Sequence, residues 1–74
     1  MIRREHFCNK LGELKYKCKR ETERVLLYKR PNDPVYVIVP RRDLLDDDYV
    51  RIQLKQSGCS KEDIEAFLTT YRLQ

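Results

Sequence analysis

The segment Pro31-Asn32-Asp33-Pro34 constrains this chain more than any other four residues. Each proline fixes φ at about −65°, removes an amide donor and pushes the residue before it out of the helical region. Asn and Asp between them favour a turn that their own side chains complete. Neither a helix nor a central strand runs through such a segment. The stretches on either side are therefore separate elements. Upstream, Arg24 to Lys29 (RVLLYK) is β-branched, aliphatic and aromatic, which predicts a strand. Downstream, Val35-Tyr36-Val37-Ile38-Val39 predicts another, stopped by Pro40.

A third strand precedes these two. Leu14, Tyr16 and Cys18 alternate with Lys15, Lys17 and Lys19, the period of a half-buried strand with a lysine outer face. Glu21-Thr22 fits a tight turn between it and Arg24. Three strands with short connections predict an antiparallel meander. The last of them is apolar on both sides, with Val35, Val37 and Val39 pointing one way and Tyr36 and Ile38 the other. In so small a protein a second apolar face is a surface for a protein partner or a second copy.

The flanks read as helices. Phe7, Leu11 and Leu14 recur at helical spacing after Ile2, and Gly12 marks an end to a helix over 2–11. Asp43 or Asp46 caps a second helix, in which Leu45, Tyr49, Ile52 and Gln56 share a face and Leu44 and Leu54 flank it, until Gly58. Ser60 with Asp63 is a variant capping box ahead of the stripe Ile64, Phe67, Leu68 and Tyr71. The order α-β-β-β-α-α predicts one α+β domain over 1–74, with the helices on one face of a three-stranded antiparallel sheet.

At 74 residues the chain buries only about 60 % of the surface its unfolded form exposes, so its core is thin. A large enzyme with a deep cofactor cleft, a dinucleotide fold and a barrel are excluded. No apolar run approaches the ~18 residues of a membrane span, and no apolar segment follows Arg3-Arg4 as in a secretory signal. Cys8, Cys18 and Cys59 are odd in number and widely spaced, so they predict reduced thiols and a cytoplasmic setting. No cofactor motif is present. Asp46-Asp47-Asp48 invites a magnesium site, but consecutive helix residues diverge, and a capping role at a helix N-terminus fits better.

The charge is lopsided. Residues 1–30 carry ten Lys/Arg against four Glu, and residues 31–74 carry six against eight Asp/Glu. A basic half on a small domain is the footprint of a polyanion site. The candidate nucleic-acid-binding residues are Lys15, Lys17 and Lys19 on one strand face, Arg24, Lys29 and Arg30 on the next strand, and Arg41 and Arg42 beyond Pro40. Lysines every second residue stand roughly 7 Å apart, a spacing suited to a phosphate backbone. The same row also guards an edge strand against aggregation. Tyr28 or Tyr36 can stack on bases or pack the sheet.

The second half carries a family resemblance. Val39-Pro40 ends a strand, and Leu54-Lys55-Gln56-Ser57-Gly58 leads into Ser60-Lys61-Glu62-Asp63-Ile64. This resembles the C-terminal signature of HicA-type (YcfA-like) small toxins. Lys10-Leu11-Gly12, Tyr28 and Pro31 are compatible with that family's first half. The resemblance implies a fold like a double-stranded-RNA-binding domain, RNA as ligand and an antitoxin-like partner. The family's cleavage of messenger RNA depends on a histidine in a Gly-Ser-His motif at the start of a strand. Counting back from Tyr28, Glu23-Arg24-Val25 stand there, so no catalytic residue carries over. The lone histidine, His6, sits on the first helix with no adjacent nucleophile, which predicts a structural or merely exposed side chain. The sequence therefore predicts a HicA-like RNA-binding protein with impaired catalysis. A ribonuclease with a relocated catalytic group and a protein-interaction module are the other readings.

Overall fold

The structure, a computed structural model, describes residues 1–73. Pro31 to Pro34 forms the turn its composition demands. Asn32 adopts φ 63°, and the Asp33 carboxylate accepts the Val35 amide at 2.9 Å, completing an Asx turn. Around this turn run β2 (Lys17–Glu21), β3 (Val25–Lys29) and β4 (Val37–Pro40), an antiparallel sheet in the order β2-β3-β4. The β2–β3 hairpin is closed by Thr22, whose hydroxyl accepts the Arg24 and Val25 amides.

The strands begin later than alternation predicts. Val35 precedes β4, and Leu14 to Tyr16 precede β2. The first helix, α1 (Arg4–Glu13), runs through Gly12 rather than ending there. Lys15 then takes φ 75°, its amide bonded to the Gly12 carbonyl and the Tyr16 amide to that of Leu11. These are the two bonds of a Schellman cap, with lysine at the left-handed position glycine usually fills. Lys15 is therefore a helix cap and not a strand residue.

α2 (Asp47–Gln56) and α3 (Lys61–Tyr71) follow. The Asp46 carboxylate accepts the Asp48 amide and the Ser60 hydroxyl accepts the Asp63 amide, so both predicted caps form. Gly58, at φ 92°, closes α2 with a second Schellman cap, its amide bonding Lys55 and that of Cys59 bonding Leu54. The buried stripe of α2 is not the expected one. Val50, Leu54 and Ser57 face inward, whereas Ile52 is half exposed and Leu45 lies outside the helix. A short ribbon pulls Leu45 out. β5 (Leu44–Leu45) pairs antiparallel with β1 (Ile2–Arg3), and Ile2 also bridges Arg72.

All three helices pack on one face of the sheet. Phe7 and Leu11 of α1, Val50 and Leu54 of α2, and Ile64, Phe67 and Leu68 of α3 surround Val37 and Val39 of β4. Leu26 and Tyr28 of β3 join that core, so Val25, Leu27 and Lys29 point the other way. Tyr36 and Ile38 are also turned outward, 47 % and 48 % exposed. Among the described residues no helix is long and apolar enough to cross a membrane.

Candidate nucleic-acid interface

The register decides which basic residues meet. Lys17 lies directly across from Lys29 on the outer face. Cys18 pairs with Tyr28, and the next partners are Arg20 and Leu27, so Lys19 is the extra residue of a β-bulge. The bulge shifts the alternation and sets Arg20, opposite outward-facing Leu27, on the outer face. The three-lysine row is thus replaced by a cluster in which Lys17, Lys19, Lys29 and Arg30 line one shallow cleft of about 300 Å³ with Pro31 and Asn32.

No acidic side chain lines that cleft. Like charges directly opposite in a ladder repel, so the Lys17–Lys29 pair is mildly destabilising in the free sheet. Asp33 lies nearby but is committed. The Val35 amide, and then the Arg30 guanidinium at 2.9 Å, hold its carboxyl below the ordinary Asp range.

Arg30 is a structural cation. It donates to Asp33 and to the Ser57 carbonyl at 3.0 Å, and its guanidinium lies 4.7 Å from the centre of the Tyr16 ring. Tyr16 is buried and donates to the Ser57 hydroxyl at 3.1 Å, which in turn donates to the Gln53 carbonyl at 2.8 Å. This network ties the end of β3 to the C-terminus of α2.

The other predicted residues lie elsewhere. Lys15 is exposed at the α1 cap. Arg24 is in the β2–β3 turn, and its carbonyl accepts the Arg41 amide, so Arg24, Arg41 and Arg42 gather at the opposite end of the sheet. Arg41 is spent on the Thr22 carbonyl at 2.7 Å and on Glu21 at 3.1 Å. The tyrosines separate cleanly. Tyr28 packs inward, and burial followed by Cys8 raises its pKa. Tyr36 stands outside with the Lys29 ammonium 5.4 Å from its ring centre. Arg20 is not legible as a candidate from the sequence, because its facing depends on the bulge.

Several other titratable groups are engaged in packing, capping or ion pairs. His6 stacks on Tyr71 with ring centres 4.3 Å apart. Val25 opens β3, and its hydrocarbon side chain moves no proton. The three neighbouring aspartates diverge, Asp46 onto the α2 cap, Asp47 onto Arg72 and the Met1 ammonium, and Asp48 onto Arg51. No group of His, Cys, Asp and Glu among the described residues is placed to hold a metal. Cys8 and Cys59 are half-buried and burial raises the Cys59 thiol, whereas Cys18 is exposed. No protein-family model matches the chain, and no curated protein matches it at a significant level.

Proposed function

We propose that this chain is a small RNA-binding domain, a relative of the HicA-type toxins that lacks their cleavage histidine, and that it docks phosphates on the outer sheet face. The observation that carries the reading is the cleft in which Lys17 and Lys29 face each other beside Lys19 with no acidic group between them. A sheet face that repels itself is completed by a polyanion. The order of helix, three-stranded meander and helices agrees with what the family resemblance implies. Binding is electrostatic docking without bond cleavage, and its cations are Lys17, Lys19 and Lys29, with Arg20 alongside.

Fluorescence anisotropy of a labelled RNA against salt concentration tests this. Three phosphates neutralised give a log–log slope of about −2 on a single strand. Lys17, Lys19 and Lys29 changed together to Ala abolish most of the binding and flatten that slope. Unchanged binding by a folded triple variant, or no affinity for any RNA at low salt, refutes the proposal. Aggregation of the triple variant with binding intact assigns the lysines to guarding the β2 edge instead.

A further inference from the structure

The sheet has two free edges, β2 and β4. The β2 edge carries Lys17, Lys19 and Arg20 and is broken by the bulge, two devices that deter strand pairing. The β4 edge has neither. From Pro34 to Pro40 no side chain is charged, in a chain that is 38 % charged, and Val35 is 58 % exposed. Hydrogen-bond parity fixes which backbone groups this edge offers. The Arg41 amide bonds the Arg24 carbonyl, so Val39 and Val37 turn their backbone groups to β3 and Ile38 turns its own away. Two contacts agree, since the Val35 amide is turned to Asp33 and the Ile38 carbonyl accepts the Tyr49 hydroxyl of α2. The Lys29 ammonium over the Tyr36 ring extends the register one residue before the strand. The carbonyls of Pro34 and Tyr36 and the amides of Tyr36 and Ile38 therefore line the open edge, and none has a partner among the described residues.

We propose that this edge pairs antiparallel with the same edge of a second copy of the chain, about a two-fold axis at Tyr36. In that register the two Tyr36 residues exchange both backbone bonds, and each Ile38 amide donates to the second copy's Pro34 carbonyl. The Ile38 carbonyl would meet no donor, because proline has no amide hydrogen, and it is the carbonyl that Tyr49 already serves. A foreign strand with an amide at that position competes with Tyr49, whereas a second copy does not. Val35 of each copy falls opposite Val37 on the inner side, where a cleft of about 270 Å³ lies open between these valines and Gln53 and Gln56 of α2. Charge points to the same occupant. Two chains of net +4 repel where their basic halves meet, and the uncharged Pro34–Pro40 segment lets them touch without opposing cations. An acidic or basic strand finds no counter-charge there. The two-fold also closes the assembly, since only the guarded β2 edges are left at its ends.

Sedimentation equilibrium of the whole chain over a wide concentration range, paired with amide exchange followed by NMR, tests this. So short a seam is far below a standard interface, so the dimer dissociates at roughly 10 to 1,000 µM. Salt tightens it by screening the two positive copies, the reverse of its effect on RNA binding. The Tyr36 and Ile38 amides exchange more slowly as the dimer fills. Val35→Lys guards the edge as lysines guard β2 and weakens the dimer at least about tenfold, with an unchanged circular dichroism spectrum because Val35 is exposed. A chain that stays monomeric at about 1 mM overturns the proposal. So does a dimer in which the Tyr36 and Ile38 amides still exchange freely, one that Val35→Lys leaves intact, or association that runs on past the dimer. Protection of the two amides in a monomer by an added neutral peptide of unrelated sequence assigns the edge to a foreign strand and also overturns it. No outcome bears on the phosphate cleft, which lies on other side chains.

Discussion

Replacing Arg30 with Ala strikes the joint between the sheet and α2. The residue is 26 % exposed, and its hydrogen bond to the Ser57 carbonyl satisfies an acceptor at the end of a helix, where a cation is also favoured by the helix dipole. A hydrogen bond from a charged donor in this half-covered setting contributes about 1.5 kcal/mol. Its contact with Tyr16 adds about 0.5–1 kcal/mol. The pair with Asp33 is screened by solvent and adds little to that sum. A domain of this size holds only about 3–5 kcal/mol in total, so a loss of about 2–2.5 kcal/mol removes roughly half of it. At about 4–8 °C per kcal/mol, the melting temperature falls by about 8–20 °C. Thermal melts by far-ultraviolet circular dichroism, paired with urea titrations at constant slope, measure the effect. Arg30→Lys recovers less than half of the loss, because one ammonium cannot bond Asp33 and Ser57 together while lying over a ring. A melting temperature within about 2 °C of the parent for Arg30→Ala, or full rescue by lysine, refutes the assignment of Arg30 as a joint.

Two further perturbations read the charge arrangement. Lys17→Ala relieves its repulsion with Lys29, so it stabilises the free protein by about 0.2–1 kcal/mol while weakening RNA binding, and a variant losing both quantities contradicts the reading. Asp47 is held below the ordinary Asp range first by its bond to the Met1 ammonium and then by Arg72, so its contribution is complete above about pH 4 and is lost as pH falls through its folded value. Asp47→Asn therefore melts lower than the parent near neutral pH and converges with it in acid, and a difference that persists or grows in acid contradicts the linkage.

The sequence made the element order legible because its punctuation is strong. The Pro31–Pro34 turn, the Asp46 and Ser60 caps and Gly58 act within a few residues of themselves, and each appears where the local chemistry puts it. Local rules fail where they meet a tertiary constraint. Gly12 looks like a helix stop, yet the chain spends its left-handed position three residues later on Lys15. The bulge at Lys19 is invisible to a count of alternating residues, and it alone moved the third lysine off its row and turned Arg20 outward. The inward face of α2 departs from the helical count because Leu45 belongs to the ribbon with Ile2, a pairing between residues far apart in sequence. The candidate site was half legible. Lys17, Lys19, Lys29 and Arg30 meet, but Arg30 and Arg41 are spent on structure, and which tyrosine is free depends on the parity of β3 and β4.

That ribbon also bears on how the chain folds. The sheet is built from neighbours in sequence, so its hairpins can form early and with little loop-closure entropy. Ile2, by contrast, pairs with Leu45 and bridges Arg72, closing loops that take in more than half and nearly all of the described chain. So few hydrogen bonds do not offset closures of that span until the core behind them is already assembled. The two-residue strands therefore act as a latch that shuts last. φ-value analysis is therefore expected to give high values in the β2–β3–β4 meander and values near zero at Ile2 and Leu45, and the reverse pattern contradicts the latch.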